Sequence, residues 1–180
     1  MILTKSYKNK KVNYADKIIT TDGHEIHFEV KGDPLITPVV FLHGGPGARV
    51  VPVHYDFFNP NLFFSILFDQ RGCGKSKPFC ELKNNNIQNL ILDMERLREK
   101  LGLQKWILFG GSWGSTLALY YAINYPERCL GLVLRGVFLG TRKEIDWFLC
   151  GMRKFYPEAH KLLLHGLDFS ELERPTSGEI

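Results

Sequence analysis

The stretch that decides the fold is Trp106-Ile107-Leu108-Phe109-Gly110-Gly111-Ser112-Trp113-Gly114-Ser115-Thr116-Leu117. Its first part, residues 106–109, is a continuous apolar run of the kind found in strands buried on both faces of a sheet. A second apolar run, residues 116–123, is typical of a buried helix and ends at Asn124-Tyr125-Pro126, because the residue before a proline disfavours the helical conformation. Ser112 therefore lies on a tight turn between a strand and a helix.

This turn is the context that a nucleophile elbow requires. Ser112 is flanked by Gly110, Gly111 and Gly114. These glycines let neighbouring backbone approach without a Cβ clash. The serine hydroxyl would project at the N-terminus of the helix, where the helix dipole favours developing negative charge. We predict that Ser112 is a nucleophile. The alternative is a glycine-rich turn with an ordinary serine, since Gly-x-Ser-x-Gly alone often occurs by chance.

Two earlier apolar runs also end in glycine-rich turns. Val39-Val40-Phe41-Leu42 ends at His43-Gly44-Gly45-Pro46-Gly47, and residues 62–68 end at Asp69-Gln70-Arg71-Gly72. Between the second turn and the elbow, residues 86–101 carry apolar side chains at helical spacing. Buried strands that alternate with helices predict a parallel sheet. The working groups of such sheets collect at the carboxyl ends of the strands, so we expect all three turns at one edge.

The first of these turns is a candidate for half of an oxyanion hole. A tetrahedral intermediate needs two preorganised N–H donors. One is predicted to be the amide of Trp113, and the other that of Gly44 or Gly45, in a loop that Pro46 stiffens by fixing φ. His43 precedes Ser112 in the chain, whereas this kind of site runs serine, acid, histidine. We therefore predict that His43 orders the loop and is not the base.

The second turn, residues 69–76, resembles a phosphate-binding loop at Gly74-Lys75-Ser76, but it has Asp69 where that motif needs glycine. We predict instead that Asp69 and Arg71 form a local charge pair that shapes the rim of the site. Cys73 lies between Arg71 and Lys75, whose charges would lower the pKa of its thiol. No partner base for this thiol is evident in the sequence.

Composition narrows the class of protein. The chain has 180 residues and a formal charge of +4. We predict no nucleic-acid binding, because no basic patch interleaved with aromatic residues follows the N-terminal lysines. The four cysteines include no Cys-x-x-Cys pair, and no histidine lies at ligand spacing, so we predict no metal and reduced thiols. No apolar run is long enough for a bilayer, and no apolar stretch follows the N-terminal lysines, so a cytoplasmic location is predicted.

Four segments together resemble one family, the proline iminopeptidases (prolyl aminopeptidases). They are His43-Gly-Gly-Pro-Gly, Phe68-Asp-Gln-Arg-Gly-Cys-Gly-Lys-Ser, Phe109-Gly-Gly-Ser-Trp-Gly-Ser-Thr-Leu-Ala-Leu and Tyr125-Pro-Glu-Arg-Cys-Leu-Gly-Leu-Val-Leu-Arg-Gly. The resemblance runs from about Thr20 to at least Leu164. It implies release of an N-terminal proline from a peptide substrate through an acyl-enzyme on Ser112, without metal or cofactor.

The resemblance also implies an α/β-hydrolase fold, a mostly parallel sheet with helices on both faces. We expect the chain to be truncated before the last strands and most of a helical cap. The predicted divisions are a basic leader over residues 1–17, the N-terminal part of the core over 18–140, beginning with a hairpin at 18–30, and an incomplete cap over 141–180 with a polar tail at 171–180.

The family places its acid and its base histidine after the cap. The one pair in the right order here is Asp146 with His160 or His165, and we reject it because all three lie in helical patterns. Ala48-Arg49-Val50 also departs from the glycines that usually follow the family's first turn. We predict that the chain made alone is inactive and aggregation-prone. An esterase and a non-catalytic protein that kept the scaffold remain as alternatives, whereas a serine at the elbow argues against an epoxide or haloalkane hydrolase.

Overall fold

The computed structural model describes residues 11–165. The strands are β1 (Val12–Ile19), β2 (Glu25–Gly32), β3 (Thr37–Leu42), β4 (Phe63–Phe68), β5 (Trp106–Gly111) and β6 (Cys129–Arg135). The α-helices are α1 (Ile87–Lys100), α2 (Trp113–Asn124), α3 (Arg142–Leu149) and α4 (Pro157–Leu163). Three short 3-10 helices lie at Pro52–Phe57, Pro126–Arg128 and Gly151–Lys154. None of these helices is long and apolar enough to cross a membrane.

The six strands form one sheet in the order β1-β2-β4-β3-β5-β6. Strands β3 to β6 run parallel, and β1 and β2 pair in antiparallel fashion at one end. The predicted mostly parallel sheet is thereby confirmed. Because β3 lies between β4 and β5, the carboxyl ends of these three strands are neighbours, and the turns that follow them meet at one edge of the sheet.

The hairpin begins earlier than predicted. β1 starts at Val12, so the prediction that residues 12–17 belong to a basic leader is wrong. Val12 and Tyr14 are half-buried against the core, and the Tyr14 ring meets that of Phe28 edge-on at 6.5 Å. Polar residues alternate with these two because β1 is an edge strand with one solvated face. The rest of the predicted leader, residues 1–10, lies outside the described residues.

The predicted amphipathic helix is confirmed as α1. The side chain of Asn86 accepts a 3.0 Å hydrogen bond from the backbone N–H of Asn89, which makes it the N-cap. Gly102 follows the helix with a φ of +67°, a value that glycine adopts without strain. The buried face of the helix consists mainly of Leu90, Ile91, Met94 and Leu97.

The sheet has a different cover on each face. Trp106 and Leu108 of β5 point to the face on which α1 and α2 pack. Ile107 and Phe109 point to the other face, which is covered by residues 50–58, including the first 3-10 helix. In the described part of the chain, both α-helices of the core thus lie on one face, and a 3-10 helix with its flanking loop covers the other.

Strand β6 forms the far edge of the sheet and is poorly covered. Leu130 is 53% exposed and Val133 46% exposed. Strand β6 pairs with β5 on one side and has no neighbouring strand on the other in the described part of the chain. Strand β6 therefore presents an open edge and partly exposed apolar side chains.

The chain divides into two compact units, residues 1–139 and 140–180. In the second unit, Thr141 and Glu144 form a capping box at the start of α3. Pro157 is in the first turn of α4, a position where its missing N–H costs nothing. The predicted polar tail at 171–180 lies outside the described residues.

Candidate active site

Ser112 occupies a strained turn between β5 and α2. Its backbone has φ 54° and ψ −123°, a conformation that residues other than glycine rarely adopt. The backbone N–H of Ser112 donates a 3.0 Å hydrogen bond to the carbonyl of Arg135, which ties the turn to the end of β6. The residue is exposed. The turn therefore presents the hydroxyl to solvent at the start of a helix, as the sequence pattern predicts.

Two glycines make this turn possible. A Cβ atom on Gly110 would lie 2.1 Å from the carbonyl oxygen of Gly114, and a Cβ on Gly114 would lie 2.1 Å from that of Leu42. Both distances are far shorter than real contacts of a Cβ atom. Helix α2 can therefore begin directly against β3 and β5 only because neither residue has a side chain.

The loop after β3 passes directly beside Ser112. A Cβ on Gly44 would lie 3.5 Å from the Cβ of Ser112 and 3.3 Å from the carbonyl oxygen of Gly111. Trp113 is the first residue of α2, so its N–H has no acceptor within the helix. Gly45 has a φ of +123° in the same loop. The arrangement brings the loop that carries one predicted oxyanion donor next to the helix end that carries the other.

A buried side chain, Gln70, holds this loop in place. Its backbone N–H donates to Nε2 of His43 at 3.0 Å, and its side-chain amide donates to the carbonyl of His43 at 2.9 Å. Its side-chain oxygen accepts from Nε1 of Trp113 at 2.9 Å. Gln70 thus joins the loop after β3 to the first residue of α2. This role of Gln70 was not predicted from the sequence, although its position just after β4 was a usable signal.

Both ring nitrogens of His43 form hydrogen bonds. Because Nε2 accepts the hydrogen bond from Gln70, Nδ1 carries the proton and donates to the carbonyl of Gly44 at 2.9 Å. Burial lowers the pKa of His43, although the Gly44 carbonyl and Asp69 act in the opposite direction. Neither nitrogen is free to accept a proton from Ser112, which supports the prediction that His43 orders the loop.

Ser112 lines a cavity of about 280 Å³ with one aromatic wall. The ring of His54 lies 4.3 Å from that of Phe41, and the ring of Phe57 stacks on that of Phe109 at 5.7 Å. Burial lowers the pKa of His54. A cavity of this size beside a serine hydroxyl suits a small apolar group. His54 and Phe57 were not predicted as site residues, because nothing in the local sequence places the 3-10 helix over β3 and β5.

Residues 37–167 match the model of the alpha/beta hydrolase fold. The chain belongs to the α/β-hydrolase family.

Several similar proteins share one name, proline iminopeptidase. The chain is 51% identical over 137 residues to a probable proline iminopeptidase of Leptolyngbya boryana, covering 76% of this chain and 43% of the relative. It is 46% identical over 154 residues to the proline iminopeptidase of Neisseria meningitidis, covering 84% and 50%. The predicted resemblance is confirmed. The chain spans about half the length of the curated relatives it matches.

Solved structures agree on the fold. The proline iminopeptidase-related protein TTHA1809 of Thermus thermophilus superimposes with a TM-score of 0.61 at 25% identity, over 68% of this chain and 44% of that one. An epoxide hydrolase of Vigna radiata gives a TM-score of 0.62 at 23% identity, over 80% and 44%. The second likeness shows the α/β-hydrolase fold alone.

The predicted charge pair between Asp69 and Arg71 is wrong. Asp69 is buried and accepts hydrogen bonds from the backbone N–H groups of Val50 at 2.8 Å and Lys75 at 2.9 Å. A Cβ on Gly74 would lie 2.3 Å from this carboxylate. Asp69 therefore closes its own turn and anchors the chain beyond the loop that follows β3, instead of pairing with a cation.

Arg71 makes its ion pairs with distant acids. Its guanidinium binds Asp93 of α1 through two hydrogen bonds of 2.5 and 2.9 Å, and it binds Asp22 in the β1–β2 turn at 2.5 Å. Arg71 and Asp93 are both buried. Hydrogen bonds from Arg71 and Thr20 hold the pKa of Asp22 well below its usual range. Arg71 thus connects the end of β4 to the hairpin and to α1, away from Ser112.

The prediction for Cys73 is also wrong. Burial raises the pKa of its thiol, and the nearby carboxylate of Asp69 adds to the effect. The cations on which the prediction rested point elsewhere, since Arg71 binds acids and Lys75 binds Glu29 at 2.6 Å. Cys73 is a buried thiol.

Asp146 and His160 lie on helices of the second unit. Asp146 accepts from Nε of Arg142 at 2.7 Å within α3, and Nε2 of His160 lies 2.6 Å from the carbonyl oxygen of Leu149. Both groups belong to helices and not to loops that follow strands, which supports our rejection of this pair as the triad acid and base. Among the described residues, no group of histidine, cysteine, aspartate and glutamate side chains is arranged to hold a metal ion.

Proposed function

We propose that this chain supplies the nucleophile and the oxyanion hole of a serine aminopeptidase that releases N-terminal proline from peptides. The observation that carries the proposal is the exposed, strained Ser112 beside the loop of Gly44. The similarity to proline iminopeptidases supports the substrate. The aromatic wall of the cavity at Ser112 offers an apolar surface of a size that suits a pyrrolidine ring.

The proposed reaction is an acyl transfer. Oγ of Ser112 attacks the carbonyl carbon of the N-terminal proline while a base takes its proton, and the oxyanion accepts hydrogen bonds from the amides of Trp113 and of Gly44 or Gly45. The peptide bond then breaks, and the amine of the next residue leaves with the proton. Water hydrolyses the prolyl ester and restores the serine. Side chains and backbone carry out every step, so the proposal needs no metal or cofactor.

The proposal does not use His43 as the base, because both of its ring nitrogens are engaged. It assigns the base and the triad acid to the part of the relatives' length that this chain does not span. Serine without a base stays protonated at neutral pH and is a poor nucleophile. We therefore expect the 180-residue chain by itself to turn over proline substrates far more slowly than a chimera that carries the missing part.

The location and partners belong to the same proposal. A cytoplasmic enzyme is supported by the four cysteines, all of them free. The partner is a peptide with an N-terminal proline, and the proposal includes neither nucleic acid nor a membrane.

A chimera provides the test. Residues 1–140 of this chain are joined, at the corresponding position, to the remaining part of the Neisseria meningitidis relative. We expect the chimera to hydrolyse a proline anilide and to be labelled at Ser112 by a fluorophosphonate. Ser112→Ala is expected to reduce turnover by at least about 10³-fold, and it is the matched control. The parent relative shows that the assay works.

The result also separates the alternatives. A chimera that hydrolyses a simple ester but not the proline anilide would favour an esterase. A folded chimera that the fluorophosphonate does not label would favour a scaffold without catalytic function. Either outcome would refute the aminopeptidase.

A further inference from the structure

Cys73 and Cys80 lie close together in the chain that follows β4. The backbone N–H of Cys80 donates a 2.9 Å hydrogen bond to the carbonyl of Gly72, the residue before Cys73. Standard backbone dimensions then place the Cα atoms of Cys73 and Cys80 within about 7 Å of each other. This is the range that a disulfide can bridge with little backbone movement.

The two thiols also share one cavity. Cys73 and Cys80 both line a mainly apolar pocket of about 560 Å³ whose wall includes Trp113 and Gln70. Cys80 is exposed, whereas Cys73 is buried. The thiol of Cys80 is near enough to contribute to the raised pKa of Cys73, after burial and Asp69. An accessible thiol next to a buried one fits an attacking and a resolving cysteine.

Cys73 shares this cavity with the loop after β3. Its thiol donates a 3.2 Å hydrogen bond to the carbonyl of Arg71, and Gly47 lines the same cavity as Cys73. Gly47 is the last residue of the loop that begins at His43 and passes beside Ser112. A change in the position of this sulfur therefore alters the packing of the cavity at the far end of the loop.

We propose that Cys73 and Cys80 form a reversible disulfide that loosens the far end of the loop after β3. The oxidant is a low-molecular-weight disulfide such as oxidised glutathione. The thiolate of Cys80 attacks one of its sulfurs, forming a mixed disulfide and releasing one small thiol. The thiolate of Cys73 then attacks the sulfur of Cys80 and releases the second small thiol. Two cysteines are oxidised, one small disulfide is reduced, and both cysteine protons leave with the small thiols.

Peptide mapping tests the bond. The folded 180-residue chain is equilibrated with a glutathione buffer, alkylated and digested with trypsin, which separates residues 72–75 from residues 76–83. We expect a disulfide-linked pair of these two peptides. At equal glutathione potential, the ratio of linked to unlinked peptide should be at least about tenfold higher than in the chain unfolded in guanidinium, equivalent to about 30 mV. Cys80→Ser, a change at an exposed position, should abolish the pair.

Hydrogen exchange tests the effect on the loop. We expect the amides of residues 43–49 to exchange at least about threefold faster in the oxidised chain than in the reduced chain. Oxidised Cys80→Ser should exchange at the reduced rate, which excludes a general effect of glutathione. Cys129→Ser is the matched variant that should keep both the linked pair and the faster exchange.

Three results would overturn the proposal. The first is the absence of the linked peptides in the folded chain. The second is an equal ratio of linked to unlinked peptide in the folded and unfolded chains, which would show that closeness in sequence alone makes the bond. The third is an unchanged exchange rate at residues 43–49 in a chain shown to contain the disulfide.

Discussion

The backbone N–H of Gln70 donates a 3.0 Å hydrogen bond to Nε2 of His43. The bond fixes the proton of the imidazole on Nδ1, where it binds the carbonyl of Gly44. The neutral imidazole of His43 thereby joins the turn after β3 to the turn after β4. His43 is thus part of the structure of the loop that it begins, which supports the proposal that it is not the base.

This relationship predicts a loss of stability in mild acid. Burial lowers the pKa of His43 in the folded chain, whereas in the unfolded chain it is about 6.5. The unfolded chain therefore binds more protons below about pH 6.5, so the contribution of His43 is present above that pH and is lost as the pH falls. We expect the free energy of unfolding, measured by urea titration, to fall between pH 7 and pH 5, and to fall less in His43→Gln.

His165→Gln is the control for this measurement, because His165 is exposed. It should leave the pH dependence of the wild-type chain unchanged. An identical fall in His43→Gln and the wild type would contradict a neutral, buried His43.

Removal of Asp93, the buried partner of Arg71, should strongly lower the free energy of unfolding. Arg71 and Asp93 are each 1% exposed, and two hydrogen bonds join them. Asp93→Ala leaves the buried guanidinium with Asp22 as its one remaining acid, and we expect a loss of about 3–5 kcal/mol in the free energy of unfolding. Lys17→Ala removes the exposed pair with Glu25 and should cost less than about 1 kcal/mol. Similar losses of unfolding free energy in Asp93→Ala and Lys17→Ala would show that the Arg71–Asp93 pair contributes no more than an exposed ion pair.

The elbow was predictable because its determinants are local. An apolar run, two glycines around Ser112 and a second apolar run specify a strand, a turn with positive φ and a helix, and the structure has all three. The same is true of α1, whose cap and stop signals lie at its own ends.

The partners of Arg71 were not predictable in the same way. Asp22 lies 49 residues away in the sequence and Asp93 22 residues away, whereas the predicted partner, Asp69, lies two residues away. The choice depends on which elements pack together, and the pattern around Arg71 does not contain that information. The prediction of a lowered pKa for Cys73 was wrong for a related reason, because burial outweighs the charges of its sequence neighbours.

The close approach at the elbow predicts an asymmetry between two glycines. Gly114→Ala would place a Cβ 2.1 Å from the carbonyl oxygen of Leu42, whereas a Cβ on Gly131 meets nothing within 4 Å. We expect Gly114→Ala to lower the free energy of unfolding by at least about 2 kcal/mol. Gly131→Ala should leave it unchanged or raise it by up to about 1 kcal/mol. Urea denaturation of both variants measures the difference in their free energy of unfolding. Equal changes in the two variants would exclude the close packing of α2 on β3.

The strained backbone of Ser112 predicts an inversion of the usual order of alanine and glycine. With φ 54° and ψ −123°, the residue is in a region that glycine adopts freely and alanine does not. At most positions alanine is the more stabilising of the two. Here we expect Ser112→Gly to be more stable than Ser112→Ala by about 1 kcal/mol, as measured by thermal or urea unfolding. The opposite order would mean that the turn relaxes once the hydroxyl is removed.

The open edge at β6 predicts self-association of the chain made alone. Val133 is 46% exposed on this strand, and the strand itself carries a single charge, Arg135. The opposite edge strand, β1, carries Asp16 and Lys17, which oppose pairing with another chain. We expect light scattering to show concentration-dependent association that Val133→Lys reduces at least about threefold. Ile19→Lys makes the same change at a position that is 60% exposed on β1 and should leave association as it was. Equal suppression by both variants would point to a general effect of added charge, and undiminished association in Val133→Lys would rule out β6 as the surface through which the copies meet.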